Sequence, residues 1–200
     1  MDDAPGLKFE LNLYYGAKFL AQIAQNLLLA ALFVIAGTSS HAAMDLSSLF
    51  LAGLIPAVLF GFAAGAVVDR LGAARGFAVG SALRFLAVGI GFIFISGPQS
   101  AWAVAFAYAA VSQLSSPAEM ALVRTLRPTG CAKAHSLIVA LQYGGQALGM
   151  LALAPVLYWL GGTQAIMAAA AVGFLVLTAC TIVLALRLRT TPAAQMQPAR

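Results

Sequence analysis

The chain has 200 residues, 62% of them hydrophobic and only 8% charged, with a formal net charge of +5. Average soluble domains carry about 25% charged residues, and a mean hydropathy of +0.94 leaves too little polar surface to cover one water-soluble domain of 20.6 kDa. The basic residues are too few and too scattered for a phosphate-binding patch, which excludes nucleic acid as a partner and makes the lipid bilayer the expected solvent.

The N-terminal segment, residues 1–10, begins Met1-Asp2-Asp3-Ala4-Pro5 and lacks a basic stretch, so no cleaved signal peptide is expected. Six apolar stretches follow, at Leu11–Ala36, Leu46–Val68, Phe77–Ser96, Ala101–Leu122, Ser136–Leu160 and Ala165–Leu186. Each approaches the ~20 residues that cross ~30 Å of hydrocarbon as a helix. Short polar connections (GTSSHAAMD, DRLGAARG, SGPQS, VRTLRPTGCAKAH and GGTQ) make neighbouring helices antiparallel. The expected fold is an all-α membrane protein with six transmembrane helices over residues 11–187, followed by a Pro-, Ala- and Gln-rich disordered tail over 188–200.

The eleven basic residues support this count. Lys8, Arg70, Arg75, Arg124, Arg127, Lys133, Arg187, Arg189 and Arg200 fall in the N-terminal segment, the second and fourth connections or the tail, which share one side of the membrane. The positive-inside rule puts that side, and both termini, in the cytoplasm. A multi-pass protein of a bacterial inner membrane is expected.

Several glycines stand four residues apart (Gly61 and Gly65, Gly76 and Gly80, Gly145 and Gly149), a spacing that lets helix backbones approach in lipid. Gly149 is expected on a lipid-exposed face. Pro56 and Pro155 fall inside the second and fifth spans and are expected to kink them. Cys131 and Cys180 are far apart, and His41 and His135 lie in connections without metal partners, so no metal site or cofactor is expected. No Ser-His-Asp set, phosphate loop or carboxylate pair is present, and the chain is expected not to be an enzyme.

The second connection reads Gly65-Ala-Val-Val-Asp69-Arg70-Leu-Gly72-Ala-Ala-Arg75. It resembles the signature between helices two and three of the major facilitator superfamily (MFS): Gly, three residues, Asp, a basic residue, any residue, Gly, then basic residues. Ala73 and Ala74 depart from it, and Arg75 stands in for the missing base. Phe19-Leu20 with Gln25-Asn26-Leu27-Leu28, and Ser116-Pro117-Ala118 with Lys133-Ala134-His135, are similar to segments of the lysophospholipid-transporter-like branch. Gln25 replaces an acid there, His135 replaces an Asn, and Ser116-Pro117-Ala118 is read as closing helix four. The resemblance implies the N-terminal half bundle of an MFS transporter, with Gly65, Asp69, Arg70, Gly72 and Arg75 as a gating latch. Asp69 can pair with Arg70, Arg75 or a partner helix.

Within the spans, Lys18, Gln22, Gln25 and Asn26 share one stripe on helix one. Gln113 lies on helix four, and Gln142 and Gln146 lie one turn apart on helix five. Under the resemblance these residues face a central cavity or a partner. Bonding between helices within the unit is the alternative, at ~0.6 kcal/mol each. Arg84 and Glu119 are expected to form a structural ion pair, while Lys18 either snorkels to the interface or meets an anionic group. No acid is placed at the centre of a span. Two functions follow. One is a half-size transporter subunit for a small amphiphilic or lipid-like solute, paired with a second copy or a second six-helix half. The other is an MFS-derived accessory or assembly subunit of a larger membrane complex, without transport.

Overall fold

A computed structural model describes residues 5–126 and 131–190, with side chains over 8–126 and 135–189. Arg127 and residues 191–200 of the disordered tail expected over 188–200 lie outside the described residues, as do the side chains of Cys131 and Lys133, while 188–190 of that tail are helical. The described residues are helical apart from short links at 38–41, 72 and 95–97 and contain no strand: α1 (Pro5–Gly37), α2 (Ala42–Leu71), α3 (Ala73–Phe94), α4 (Pro98–Leu126), α5 (Cys131–Ala147), a π-helical turn (Leu148–Leu153) and α6 (Ala154–Thr190). The all-α class is therefore as expected.

Local sequence explains the boundaries. Pro5 and Pro98 open α1 and α4 at positions where a missing N–H has no helical partner to lose. The link from α2 to α3 is a single residue, Gly72, at φ +80°, a conformation that a side chain would strain. Asp45, expected in a connection, instead occupies the first turn of α2, where the helix dipole favours an acid. Ser39 donates a hydrogen bond to its carboxylate. Pro117, read as closing helix four, lies inside α4, which runs on to Leu126.

Pro155 acts through the π turn. Its ring crowds the carbonyl four residues back, that of Leu151, and its nitrogen cannot donate to it. The widened turn at Leu148–Leu153 spans that carbonyl, and helical dihedrals resume at Ala154 (φ −61°, ψ −46°). Gly161 (φ −161°, ψ 22°) and Gly162 (φ 63°, ψ −157°) then break α6, where the sequence places the Gly-Gly-Thr-Gln connection. Residues 131–160 and 163–190 form two rods.

The six rods run up and down. One buried cluster draws Tyr14 from the start of α1, Val68 from the end of α2, Phe77 from the start of α3, Leu122 from the end of α4, Ile138 from the start of α5 and Leu184 near the end of α6. That end of the bundle also carries Arg70, Arg75, Arg124, Arg187 and Arg189. A second, larger cluster fills the rest, built on the Ala17, Ala21, Ala24, Leu28 and Ala31 face of α1. Their three- and four-residue spacing keeps one face of α1 buried.

Close backbone approach sets the packing. A Cβ on Gly173 of α6 would stand 2.9 Å from Ala24 Cβ of α1, and one on Gly91 of α3 would stand 2.7 Å from a Val104 methyl of α4. Gly145 and Gly149 seat α5 on α1, where a Cβ would meet Phe19 O at 3.0 Å and Ile23 O at 2.9 Å. Gly149 is thus buried against α1 and not lipid-facing. A Cβ on Gly61 or Gly65 would meet nothing within 4 Å, so no neighbouring helix packs closely at this pair.

The outer surface is apolar. On α2, Phe50, Leu54, Val58 and Phe62 form an exposed ridge, with Phe62 97% exposed. Water tolerates no continuous patch of this kind on a monomer. Four segments are long and apolar enough to cross a membrane: Lys8–Gly37, Ala42–Leu71, Ala73–Phe94 and the Gly-interrupted His135–Arg189. The 29-residue α4 is as long but more polar. These helices fit an integral, multi-pass membrane protein.

Gly149→Leu should lower the melting temperature in detergent, by the equivalent of about 1–3 kcal/mol, because the side chain meets the α1 backbone. Gly61→Ala should leave it unchanged or raise it. Equal melting of both variants would contradict the packing described.

Candidate functional site

Lys18 on α1 and Glu119 on α4 form an ion pair, the one such pair among the described residues, with both side chains buried. A charge taken out of water costs several kcal/mol unless it is paired, so two opposite charges in an apolar bundle are held to each other. The pair stands at the basic end, where α1 begins, α4 ends and α5 begins. Tyr14, one turn before Lys18, packs its ring on Phe77 at 6.0 Å and holds that turn of α1 against α3.

The expected Arg84–Glu119 pair is not formed, and register explains why. Along the antiparallel α3–α4 seam, Gly76 and Gly80 meet Ala118 and Ser115, and Gly91 meets Val104. Arg84 therefore lies level with Ser112, and its Nε donates to Ser112 Oγ at 3.3 Å. Glu119 is two turns further along α4, ~10 Å away at 1.5 Å per residue. Arg84 is buried with its guanidinium 5.8 Å from the centre of the Tyr108 ring, which in turn packs on Phe174. This aromatic contact and hydrogen bond give Arg84 a structural place between α3, α4 and α6.

A groove of about 570 Å³ opens beside the Lys18–Glu119 pair, between α1, α4 and α5. Ser116, Arg124, His135 and Gln142 bring further polar groups to its wall, and Met120, Val123, Ile138 and Val139 bring apolar ones. A second groove, of about 340 Å³, lies between α1, α2 and α4, with Gln25, Ser112 and Gln113 among leucine and phenylalanine side chains. Gln113 donates to Ala109 O at 3.2 Å.

The expected polar stripe is thus divided. Lys18 and Gln142 line the first groove, and Gln25 and Gln113 line the second. Gln22 and Asn26 are buried, Gln22 with its Cβ beside Gly145 and Asn26 beside Gly149. Asn26 Nδ2 donates to Gln22 O at 2.8 Å, so these two belong to helix packing. Gln146 is exposed and lines neither groove.

The latch residues sit together at the α2–α3 link. Asp69, Arg70, Gly72 and Arg75 are exposed, Gly65 is half-buried, and no ion pair joins Asp69 to Arg70 or Arg75. Of the three pairings open to Asp69, the two inside this chain are not made.

The sequence reading missed Arg124 and His135 as neighbours of Lys18. Both lie near span ends, and the signal was topological: the end of α4 and the start of α5 share a bundle end with the start of α1.

Lys18→Ala or Glu119→Ala should each destabilise the protein by about 3–5 kcal/mol, because each leaves one buried charge unpaired. Lys18→Met combined with Glu119→Gln should recover most of that loss. A double-mutant cycle of melting in neutral detergent checks this, and additive losses would contradict the pairing. In comparison with known proteins, no family model matches the chain, and no curated protein is similar to it at a significant level.

Proposed function

We propose that the chain is a half-size, MFS-like transporter subunit for a small amphiphilic or lipid-like solute, and that it works with a second six-helix half. In this reading six helices cross the membrane, both termini are cytoplasmic and the basic end of the bundle faces the cytoplasm, as positive residues do. The setting is a bacterial inner membrane. The chain carries no chemistry of its own and binds no cofactor.

The observation that carries the proposal is the groove at the Lys18–Glu119 pair. It combines a buried ion pair with an apolar wall, and ionisable groups inside a bilayer most often serve a solute path. Among the described residues, the groove is lined by α1, α4 and α5. Alternating access needs two units that rock about a shared site. The exposed, unpaired Asp69 at the α2–α3 link leaves a latch for that second unit to engage.

The runner-up is an accessory or assembly subunit of a larger membrane complex, without transport. The open ridge of α2 favours it equally, because a large apolar face with uncovered glycines suits any partner helix.

Transport distinguishes the two. Proteoliposomes holding the native assembly should move a fluorescent single-chain amphiphile, and Asp69→Asn should reduce that flux by about tenfold or more, since a charged partner of the latch is lost. Equal flux in Asp69→Asn and in the unsubstituted protein, or none in either, would count against the transporter reading. Topology is checked separately: a cysteine placed at Ser40 should react with an impermeant reagent from the periplasmic side, and one at Thr125 should not.

A further inference from the structure

We propose that Arg84 holds a small inorganic monoanion, of the size and charge of chloride, inside the bundle between α3, α4 and α6, with the Tyr108 hydroxyl as a second donor to it. This site is separate from the groove at the Lys18–Glu119 pair and does not depend on the solute reading of that groove.

Arg84 is a buried cation without a counter-ion. It is 6% exposed, and a guanidinium keeps its proton at every physiological pH, so it cannot shed its charge as a buried Lys or Glu can. A charge out of water is tolerated only when it is paired. The chain has six acids, and none reaches Arg84. Glu119 is held by Lys18 and lies two turns along α4 from the level of Arg84. Asp45 accepts from Ser39 at the far end of the bundle. Asp69 is exposed at the α2–α3 link, and α3 begins at Ala73, ~17 Å along the helix from Arg84. On α1 the level of Arg84 is that of Gln25, which shares the second groove with Ser112. Glu10 is ~22 Å from Gln25 along the helix and Pro5 ~30 Å. Asp2 and Asp3 precede Pro5 by so few residues that they reach at most about 11 Å beyond it. No acid occurs at 127–134 or 191–200.

The same place has unused donors. A guanidinium carries five N–H groups. The Nε–H of Arg84 goes to Ser112 Oγ at 3.3 Å, and its Nη groups meet no acceptor among the described residues. Ser112 gives its own proton to Tyr108 O at 2.7 Å. Tyr108 and Ser115 stand one turn to either side of Ser112 on the same face of α4. Both of their hydroxyls are buried without a hydrogen-bond partner. The Tyr108 ring centre is 5.8 Å from the guanidinium carbon. A positive charge beside unused N–H and O–H groups calls for an acceptor that is itself negative, and no side chain supplies one.

Space and charge narrow the class. Phe174 is fully buried and packs on the Tyr108 ring at 5.5 Å, and Val88, one turn along α3 from Arg84, is fully buried as well. A headgroup with a chain attached would displace this packing, whereas a single-atom ion displaces far less. One negative charge balances Arg84, and a second would itself be left buried and unpaired. Tyr108 and Ser112 also line the second groove, which gives an ion its way in.

The test follows melting of the full chain in neutral detergent and sodium gluconate, with sodium chloride, bromide or sulfate exchanged in at constant ionic strength. A ligand that binds only the folded chain raises stability with the logarithm of its concentration. Chloride and bromide should do so, and sulfate should not. Arg84→Met should abolish the halide response. Tyr108→Phe keeps the ring and removes only the hydroxyl, and it should raise the chloride concentration needed for the same shift by about tenfold. That variant carries the test should Arg84→Met fold poorly. Bromide soaked into crystals of the unsubstituted chain should give an anomalous peak beside the Arg84 guanidinium.

A response to sulfate equal to that to chloride, or no response to either, would overturn the proposal. So would an unchanged halide response in both variants, or bromide found only at surface basic residues. A phospholipid that copurifies with the unsubstituted chain and is lost in Arg84→Met would rule out the halide and assign Arg84 to a lipid phosphate.

Discussion

The pairing of Lys18 with Glu119 constrains more of this bundle than any other contact. Neither charge is tolerable alone in an apolar interior, and each lies about one turn from a member of the buried cluster, Lys18 from Tyr14 and Glu119 from Leu122. Their meeting fixes the level at which α1 and α4 cross. With α1 and α4 set at that level and α5 seated on α1 through Gly145 and Gly149, the space beside the pair is left as a groove. Arg84 cannot take over the role of Lys18, because its own register along α4 places it at Ser112.

Around this pair the packing follows the physics of helices in lipid, where apolar surface alone gives little reason to associate and close backbone contact supplies it. The glycines divide by what they touch. Gly76, Gly80, Gly91, Gly145, Gly149 and Gly173 meet a neighbouring helix, and they hold α3 on α4, α5 on α1 and α6 on α1. A Cβ on Gly53, Gly61 or Gly65 of α2 would meet no neighbouring helix within 4 Å, and the same helix exposes Phe50, Leu54, Val58 and Phe62.

The helices were legible in the sequence because long apolar stretches and short polar connections are one-dimensional signals. The Gly161–Gly162 break coincides with the Gly-Gly-Thr-Gln connection, and five of the expected spans lie within a helical rod, while the third, Phe77–Ser96, overruns α3 by two residues at Ile95 and Ser96. Side-chain pairing was not legible in the same way. Placing Arg84 opposite Glu119 assumed that two charges near the same end of adjacent helices meet. The contacts of Gly76 with Ala118 and Gly80 with Ser115 set a different register. Gly149 was misplaced for a related reason: a small-residue spacing marks a close contact but not which neighbour makes it. Helical phase alone also put Gln22, Gln25 and Asn26 on one stripe, while the groove walls depend on where α2 and α5 sit. Pro117 shows the limit of local rules, since α4 continues through it.

The half-transporter account depends on a second six-helix unit facing the groove. Its most direct test is the mass of the native assembly extracted in a gentle detergent, with the identity of every chain in it. The account predicts a particle of two six-helix halves, either two copies of this chain or one copy with one similar partner. Recovery of the chain at fixed stoichiometry within a large multi-subunit complex would contradict it and make the bundle a building part of that complex.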